Sequence, residues 1–438
     1  MATRLPRALR PFSTGQYRLL TVGLLLSLFG DGIWIVAVVW EVIERGGTPL
    51  DLSIVATASS IGLISAVLFG GAVADRVPQR QILVVVEAAK AVTIAGAASL
   101  ALTNTLEIWH LALVSLIIGI ADGFFYPAYS ALLPVVLPAD QLLAANGVEG
   151  VLRPAAVQAA GPAAAAGAIA LASPGFAFVL TSASQVLAVV VLLVMRRMPV
   201  TRDELDNRHP IRSMFSDIRE GFGYMLRTPW LLGTLLFASL LVLLIMGPIE
   251  VLLPFAVRNQ TGGGAGAFAL ALAAFGIGGA IGSMLVASIR LPRRYLTTMN
   301  LLWGIGCLPL AVIGLTSQLW VMVVALFLAG FGFSAATVIW GTLLQRRVPS
   351  HLLGRVSSLD FFVSLAFMPI SMAFAGPVGA AIGIPSAFVL AGLAPIVLAV
   401  GAVLIFGMRR DELAHPLDLL ATTNEGTAET ASASDGAS

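Results

Sequence analysis

The sequence predicts an all-α integral membrane protein with twelve transmembrane helices in two pseudo-symmetric six-helix bundles. Three observations predict it. Of 438 residues, 58% are apolar and 11% charged, with a mean hydropathy of +0.94, whereas a soluble domain carries about 25% charged residues. Too little polar surface remains to solvate a folded globule, which excludes a soluble enzyme. Three stretches, 154–195, 295–345 and 361–408, hold no Asp, Glu, Lys or Arg over 42, 51 and 48 residues. Finally, the arginines crowd into alternate inter-helix segments.

A spanning helix takes about 20 apolar residues, so 17–40, 51–74, 82–103 and 109–132 read as four single spans. The first follows Arg4, Arg7, Arg10 and Arg18, the n-region pattern of a signal peptide. Its apolar run is too long and no small-residue cleavage site follows, so a retained helix is expected. The stretch 154–195 is twice too long for one span and breaks at Ser173-Pro174-Gly175 into a hairpin. Single spans follow at 230–256 and 267–289. The last four come from 295–345, broken at Thr316-Ser317-Gln318, and 361–408, broken at Gly383-Ile384-Pro385-Ser386.

The expected domains are an N-terminal bundle (1–195), a polar linker (196–229), a C-terminal bundle (230–408) and a tail (409–438). The linker carries Asp203, Glu204, Asp206, Arg208 and Arg212; the tail, rich in Thr, Ala, Ser, Glu and Gly, is expected to be disordered. An even helix count puts both termini on one side. That side holds 21 of the 25 basic residues, against only Arg45 and Arg258 in the opposite loops. By the positive-inside rule both termini are expected to be cytoplasmic, in a multi-pass protein of the inner (cytoplasmic) membrane. The net charge of +2 is therefore topogenic, and the lipid bilayer rather than nucleic acid is the expected partner. Trp109, Trp230 and Trp320 at helix starts read as interface anchors.

Several chemistries find no residues to carry them. Cys307 is the single cysteine, and the four histidines lie in loops or at span ends, so no metal site is expected. A nucleotide-driven pump needs the lysine of G-x-x-x-x-G-K-[ST], but the only lysine, Lys90, stands between Ala89 and Ala91. No cofactor is expected. An intramembrane hydrolase needs a nucleophile beside a base, and a receptor a sizeable output domain, so both are disfavoured.

The halves rhyme. Ala74-Asp75-Arg76-Val77-Pro78-Gln79-Arg80 after helix 2 matches Ser288-Ile289-Arg290-Leu291-Pro292-Arg293-Arg294 after helix 8 at an offset of 214. Leu137-Pro138-Ala139 matches Val348-Pro349-Ser350 at 211, and Gly161-Pro162 matches Gly376-Pro377 at 215. The same order at equivalent helices supports an internal duplication. Parallel six-helix repeats around a midplane cavity are a transporter architecture.

The run Gly71-Ala72-Val73-Ala74-Asp75-Arg76-Val77-Pro78-Gln79-Arg80 resembles the loop 2/3 signature of the major facilitator superfamily, G-x-x-x-D-R-x-G-R-[RK]. Gly71, Asp75, Arg76 and Arg80 match; Pro78 and Gln79 depart from it. Helix 4 and its exit (Gly119 through Phe125, Pro127, Pro134, Pro138) and Gln345-Arg346-Arg347-Val348-Pro349 followed by Gly354-Arg355-Val356 resemble the branch of bacterial drug, macrolide and siderophore exporters. In helix 5, Gly161-Pro162-Ala163-Ala164-Ala165-Ala166-Gly167 is similar to the G-P-x-x-G-G run of antiporters, with alanine still permitting close packing. The resemblance implies a conformational role for the loop, with Asp75 facing the start of helix 11 or Arg355, where the alternative is a solvated topogenic loop; it also implies helix packing at Gly161 and Pro162, which the repeat extends to Gly376 and Pro377.

An intramembrane carboxylate is costly and a functional candidate by default. Asp31 lies 14 residues beyond Tyr17, about 21 Å deep at helical rise, between Gly30 and Gly32. It reads either as a proton or substrate group or as a hydrogen bond to a neighbouring helix. Asp122 is also deep and is expected to pair with Arg153, as a structural or a gating pair. Glu87 and Lys90, three apart, predict a local pair. Glu250 approaches the opposite interface, where it either functions or simply reaches water. The expected function is export of amphipathic small molecules, coupled to protons by alternating access. The alternative is an uncoupled facilitator or a siderophore or lipid carrier.

Overall fold

In hydrocarbon every backbone N–H and C=O must be paired within its own segment, which a helix does. A computed structural model describes residues 7–74, 76–196, 222–289 and 291–417. Over these the chain is almost entirely helical, with no strand, and twelve helices are long and apolar enough to cross a membrane. Most of the expected linker (197–221) and the tail from 418 onward lie outside the described residues.

The first half comprises α1 (Gly15–Glu44), α2 (Pro49–Ala74), α3 (Gln79–Leu102), α4 (Ile108–Val136), α5 (Asp140–Leu171) and α6 (Pro174–Val194). The second comprises α7 (Pro229–Thr261), α8 (Ala265–Ser288), α9 (Tyr295–Leu315), α10 (Leu319–Arg347), α11 (Ser350–Ala366 continued by Met368–Ile382) and α12 (Ile384–Ile405). Each expected breaker ends a helix. Ser173 caps α6, its Oγ accepting from Phe176 N at 3.3 Å, and Thr316 Oγ1 accepts from Gln318 N at 3.1 Å. Gly46 after α1 and Gly262 after α7 both take left-handed φ, +75° and +69°, a turn that glycine adopts without strain and that recurs in the two halves.

Three boundaries differ from expectation. Helix α5 begins near Asp140, not 154, because Glu149 and Arg153 pair one turn apart at 2.5 Å and so do not end the helix. Helix α11 begins at Ser350, with Asp360 accepting from Trp340 Nε1 at 3.0 Å. The tail does not begin as disorder: Met408–Ala414 forms a short further helix, α13. Its buried Glu412 accepts from Thr297 N at 2.9 Å and Thr297 Oγ1 at 2.7 Å, closing the first turn of α9. Its Asp411 pairs with Arg347.

With no hydrophobic driving force between helices in lipid, small residues set the contacts. A Cβ on Gly119 of α4 would stand 2.0 Å from Ser59 O of α2, and one on Gly330 of α10 would stand 2.1 Å from Phe275 O of α8. These two glycines are related by the 211 offset, so the duplication extends to packing. Likewise a Cβ on Gly32 of α1 would meet Ala156 O of α5 at 2.7 Å, and one on Gly247 of α7 would meet Ser371 O of α11 at 2.4 Å. Both α5 and α7 contain a π-helical turn, at Ala155–Ala160 and Pro248–Leu252, the kind of local widening often found at functional sites. Outward-facing Phe69, Val92 and Val397 are at least 64% exposed, as a lipid-facing surface requires.

The halves meet away from the terminus side. Gly376 N of α11 donates to Ser53 Oγ of α2 at 2.7 Å, and a Cβ on Gly376 would lie 2.6 Å from Leu50 Cα. Deeper in, Ser60 Oγ of α2 contacts Met372 Sδ at 2.7 Å, and Gln158 of α5 packs on Gly276 of α8. Trp40 and Phe268 stack with centroids 6.0 Å apart near the far ends of α1 and α8. Among the described residues both hydrogen bonds between the halves lie in this far half, so the structure is closed on the side opposite the termini.

Candidate functional site

Midway through the first bundle, four helices bring charge together. Lys90 of α3 is 1% exposed; its Nζ lies 2.9 and 3.2 Å from the two oxygens of Asp31 on α1, and 2.6 Å from Asp122 on α4. Gln185 of α6 donates its Nε2 to Asp31 Oδ1 at 3.1 Å. Glu87, one turn before Lys90, accepts from Ser27 Oγ of α1 at 2.7 Å, while its Oε2 is buried with no hydrogen-bond partner among the described residues. Small residues allow this convergence: a Cβ on Gly30 would lie 2.9 Å from Gln185 Nε2, and one on Gly123 would lie 2.6 Å from Ala66 Cβ.

This geometry corrects two expected pairs. Asp122 does not pair with Arg153; it takes Lys90, and Arg153 instead binds Glu149 at 2.5 Å and Tyr126 OH at 3.0 Å, its guanidinium 4.9 Å from the Tyr126 ring centroid. Glu87 does not take Lys90, whose ammonium turns across to α1 and α4. The hub is therefore a lysine, for which charge alone was the available signal: it is the only lysine in the chain and lies 11 residues into a span. A buried ammonium in a membrane requires carboxylate partners. Gln185 and Ser27 carry no comparable signal, since either reads as an ordinary helix residue.

The two aspartates are the accessible part. Their side chains are 25% and 29% exposed, while the ammonium sits behind them. With three carboxyl groups around one ammonium, full ionisation leaves two negative charges uncompensated in a low-dielectric site. The arrangement can hold or release protons, or receive a cation, at Asp31 and Asp122. No group of His, Cys, Asp and Glu among the described residues is arranged to hold a metal ion.

Other candidate residues are placed as follows. Glu250 lies in the π-helical turn of α7 and is exposed, with no hydrogen-bond partner among the described residues. Asp75 lies outside the described residues, as does the side chain of Arg355 on α11. Gly71 and Arg76 are exposed, and a Cβ on Gly71 would meet nothing. Arg80 is buried and donates to Leu192 O at 2.8 Å and Leu193 O at 2.6 Å, closing the last turn of α6. Gly161 packs on Gly32, its Cβ position 2.6 Å from Gly32 Cα, and Pro162 follows the π-helical turn. Gly376 packs on α2, and Pro377 sits within α11. Trp109 and Trp320 are exposed as anchors should be, but Trp230 is 3% exposed, covered by Arg347 and Trp340.

Comparison with known proteins gives a consistent picture. Multidrug efflux pump Tap of Mycolicibacterium fortuitum is 27% identical over 410 residues, covering 89% of this chain and 97% of that protein. Macrolide efflux protein A of Streptococcus pyogenes is 23% identical over 408 residues, covering 89% and 96%. Among solved structures, the nucleoside transporter NupG superposes with a TM-score of 0.69 at 11% identity, covering 89% of this chain and 98% of that one. A bacterial homologue of ferroportin gives 0.66 at 17% identity, covering 88% and 98%. At these identities the structures show the fold alone. The sequence profile described as "Transmembrane secretion effector" matches residues 7–424. With twelve spans, a duplicated six-helix unit and a match over nearly its full length, the chain belongs to the transmembrane secretion effector family of the major facilitator superfamily.

Proposed function

We propose that this chain is a secondary active exporter of amphipathic small molecules that exchanges them for protons by alternating access. The observation that carries the reading is the Asp31–Lys90–Asp122 cluster, two accessible carboxylates sharing one buried ammonium. With Lys90 charged and Glu87 included, the cluster is neutral when two carboxyl groups hold protons and singly negative when one does. Moving between these states is a one-proton step, and a bilayer favours the neutral one for the rearrangement between open states. A proton moving down about 100 mV supplies about 2.3 kcal/mol, enough for roughly a 50-fold gradient of a neutral substrate.

The relatives named for multidrug and macrolide efflux support amphipathic substrates. The basic asymmetry of the loops supports cytoplasmic termini in the bacterial cytoplasmic membrane. In that orientation the closed far side is external, and this is the state that loads from the cytoplasm. The test is movement of a panel of labelled compounds in vesicles with an imposed pH gradient. Gradient-driven accumulation that collapses with a protonophore is expected. Equal movement with and without the gradient contradicts coupling and favours the uncoupled facilitator or the siderophore or lipid carrier.

A further inference from the structure

A cavity of about 420 Å³ opens at the terminus-side end of the second half, among the residues before α7, the last turn of α10 and α13. Arg227, Arg346 and Arg347 line it, with Trp230, Tyr224 and Asp411. Arg347 is fixed on every side. Its guanidinium lies 4.8 Å from the Trp230 ring centroid, pairs with Asp411 and donates to Tyr295 OH at 3.0 Å, while its backbone oxygen accepts from Tyr224 OH at 3.5 Å. Asp411 therefore offsets one of three positive charges. Arg227 and Arg346 are exposed, with no carboxylate partner among the described residues.

We propose that this cavity binds a phosphate-bearing anion, drawn either from the head group of an anionic phospholipid or from a free phosphate in solution. The planar guanidinium fork matches phosphate oxygens two at a time, and the cavity lining offers two exposed forks together with one immobilised fork. The depth fits as well. The cavity lies level with the first turn of α7 and the last turn of α10, where a bilayer places its head groups and where basic pockets between spans take anionic lipids. Topogenic arginines alone account for the charge of this loop region. They do not account for a cavity, nor for a buried tryptophan beneath Arg347 where an interface anchor was expected.

The test uses the purified full chain and native mass spectrometry in detergent, titrated with dioleoylphosphatidylglycerol, with dioleoylphosphatidylcholine, and separately with inorganic phosphate. The expected result is preferential retention of phosphatidylglycerol over phosphatidylcholine, or saturable binding of inorganic phosphate; the first identifies a lipid source, the second a free one. In either case Arg227→Ala/Arg346→Ala weakens binding about tenfold or more, the size of a lost charge-assisted hydrogen bond. Arg10→Ala/Arg18→Ala, two exposed arginines on the same side of the other half, leaves binding unchanged. Both substituted pairs are exposed, so the fold is expected to persist, checked by the helical circular dichroism signal. Wild-type affinity in the Arg227/Arg346 variant for both probes, or an equal loss in the Arg10/Arg18 variant, overturns the proposal.

Discussion

Replacing Lys90 with Met tests whether the intramembrane cluster is held by its ammonium. Lys90 Nζ is 2.9 Å from Asp31 and 2.6 Å from Asp122, and methionine fills similar space without charge. Removing one member of a buried pair typically costs about 3–5 kcal/mol, because the other charge is left uncompensated. Here the aspartates are 25% and 29% exposed, so water and proton uptake relieve part of the penalty, and a loss of about 2–3 kcal/mol is expected. The assay is reversible unfolding of purified protein in mixed micelles. The triple variant Asp31→Asn/Lys90→Met/Asp122→Asn should regain most of the loss, since neutral amides need no counter-charge. Wild-type stability for Lys90→Met, or a triple variant weaker than the single one, would refute the reasoning.

Gly376→Ala places a methyl 2.6 Å from Leu50 Cα across the contact between the halves. An overpacking cost of about 1–3 kcal/mol, specific to the far-closed state, should shift the population about fivefold or more toward opening there; electron spin resonance distances between labels at Asn104 and Ala381 should lengthen. Arg80→Ala removes two hydrogen bonds to the end of α6 and should cost about 2–3 kcal/mol of unfolding free energy with substrate affinity unchanged; altered affinity at unchanged stability would count against an anchoring role. Cysteines placed in the 196–228 linker should react with reagents on the cytoplasmic face only, and ones near Gly46 or Gly263 on the external face only. Labelling of the linker in intact cells by an impermeant reagent would reverse the topology.

The span count was legible because hydrocarbon excludes charge, so uncharged stretches of 42, 51 and 48 residues announce hairpins. The start of α5 was not, because Glu149 and Arg153 neutralise each other along one helix and charge ceased to mark an end. Depth marked Asp31 and Asp122 as candidates, but partners depend on which helices touch. Consecutive order of α4 and α5 in the chain points Asp122 to Arg153, whereas α4 packs on α2 and α3, carrying Asp122 to Lys90. The spacing of Glu87 and Lys90 suggested a local pair for the same reason: a helix-face rule sees only its own helix. The close approach of Gly32 and Gly247 to α5 and α11 relates them at an offset of 215, so Asp31 aligns with Met246. That counterpart is uncharged, and the carboxylate belongs to one half alone.

The central claim is that the Asp31–Lys90–Asp122 cluster carries the exchanged proton, with Asp31 essential to its cycling. Its most direct test is proton movement itself, read by a pH-sensitive dye inside proteoliposomes as a transported compound runs down its own gradient. In the wild type, substrate movement should drive protons the opposite way, in fixed ratio to substrate. In Asp31→Asn the substrate should still exchange downhill while the dye signal vanishes, because an amide cannot cycle between charged and neutral forms. A wild-type proton signal in Asp31→Asn would contradict the account.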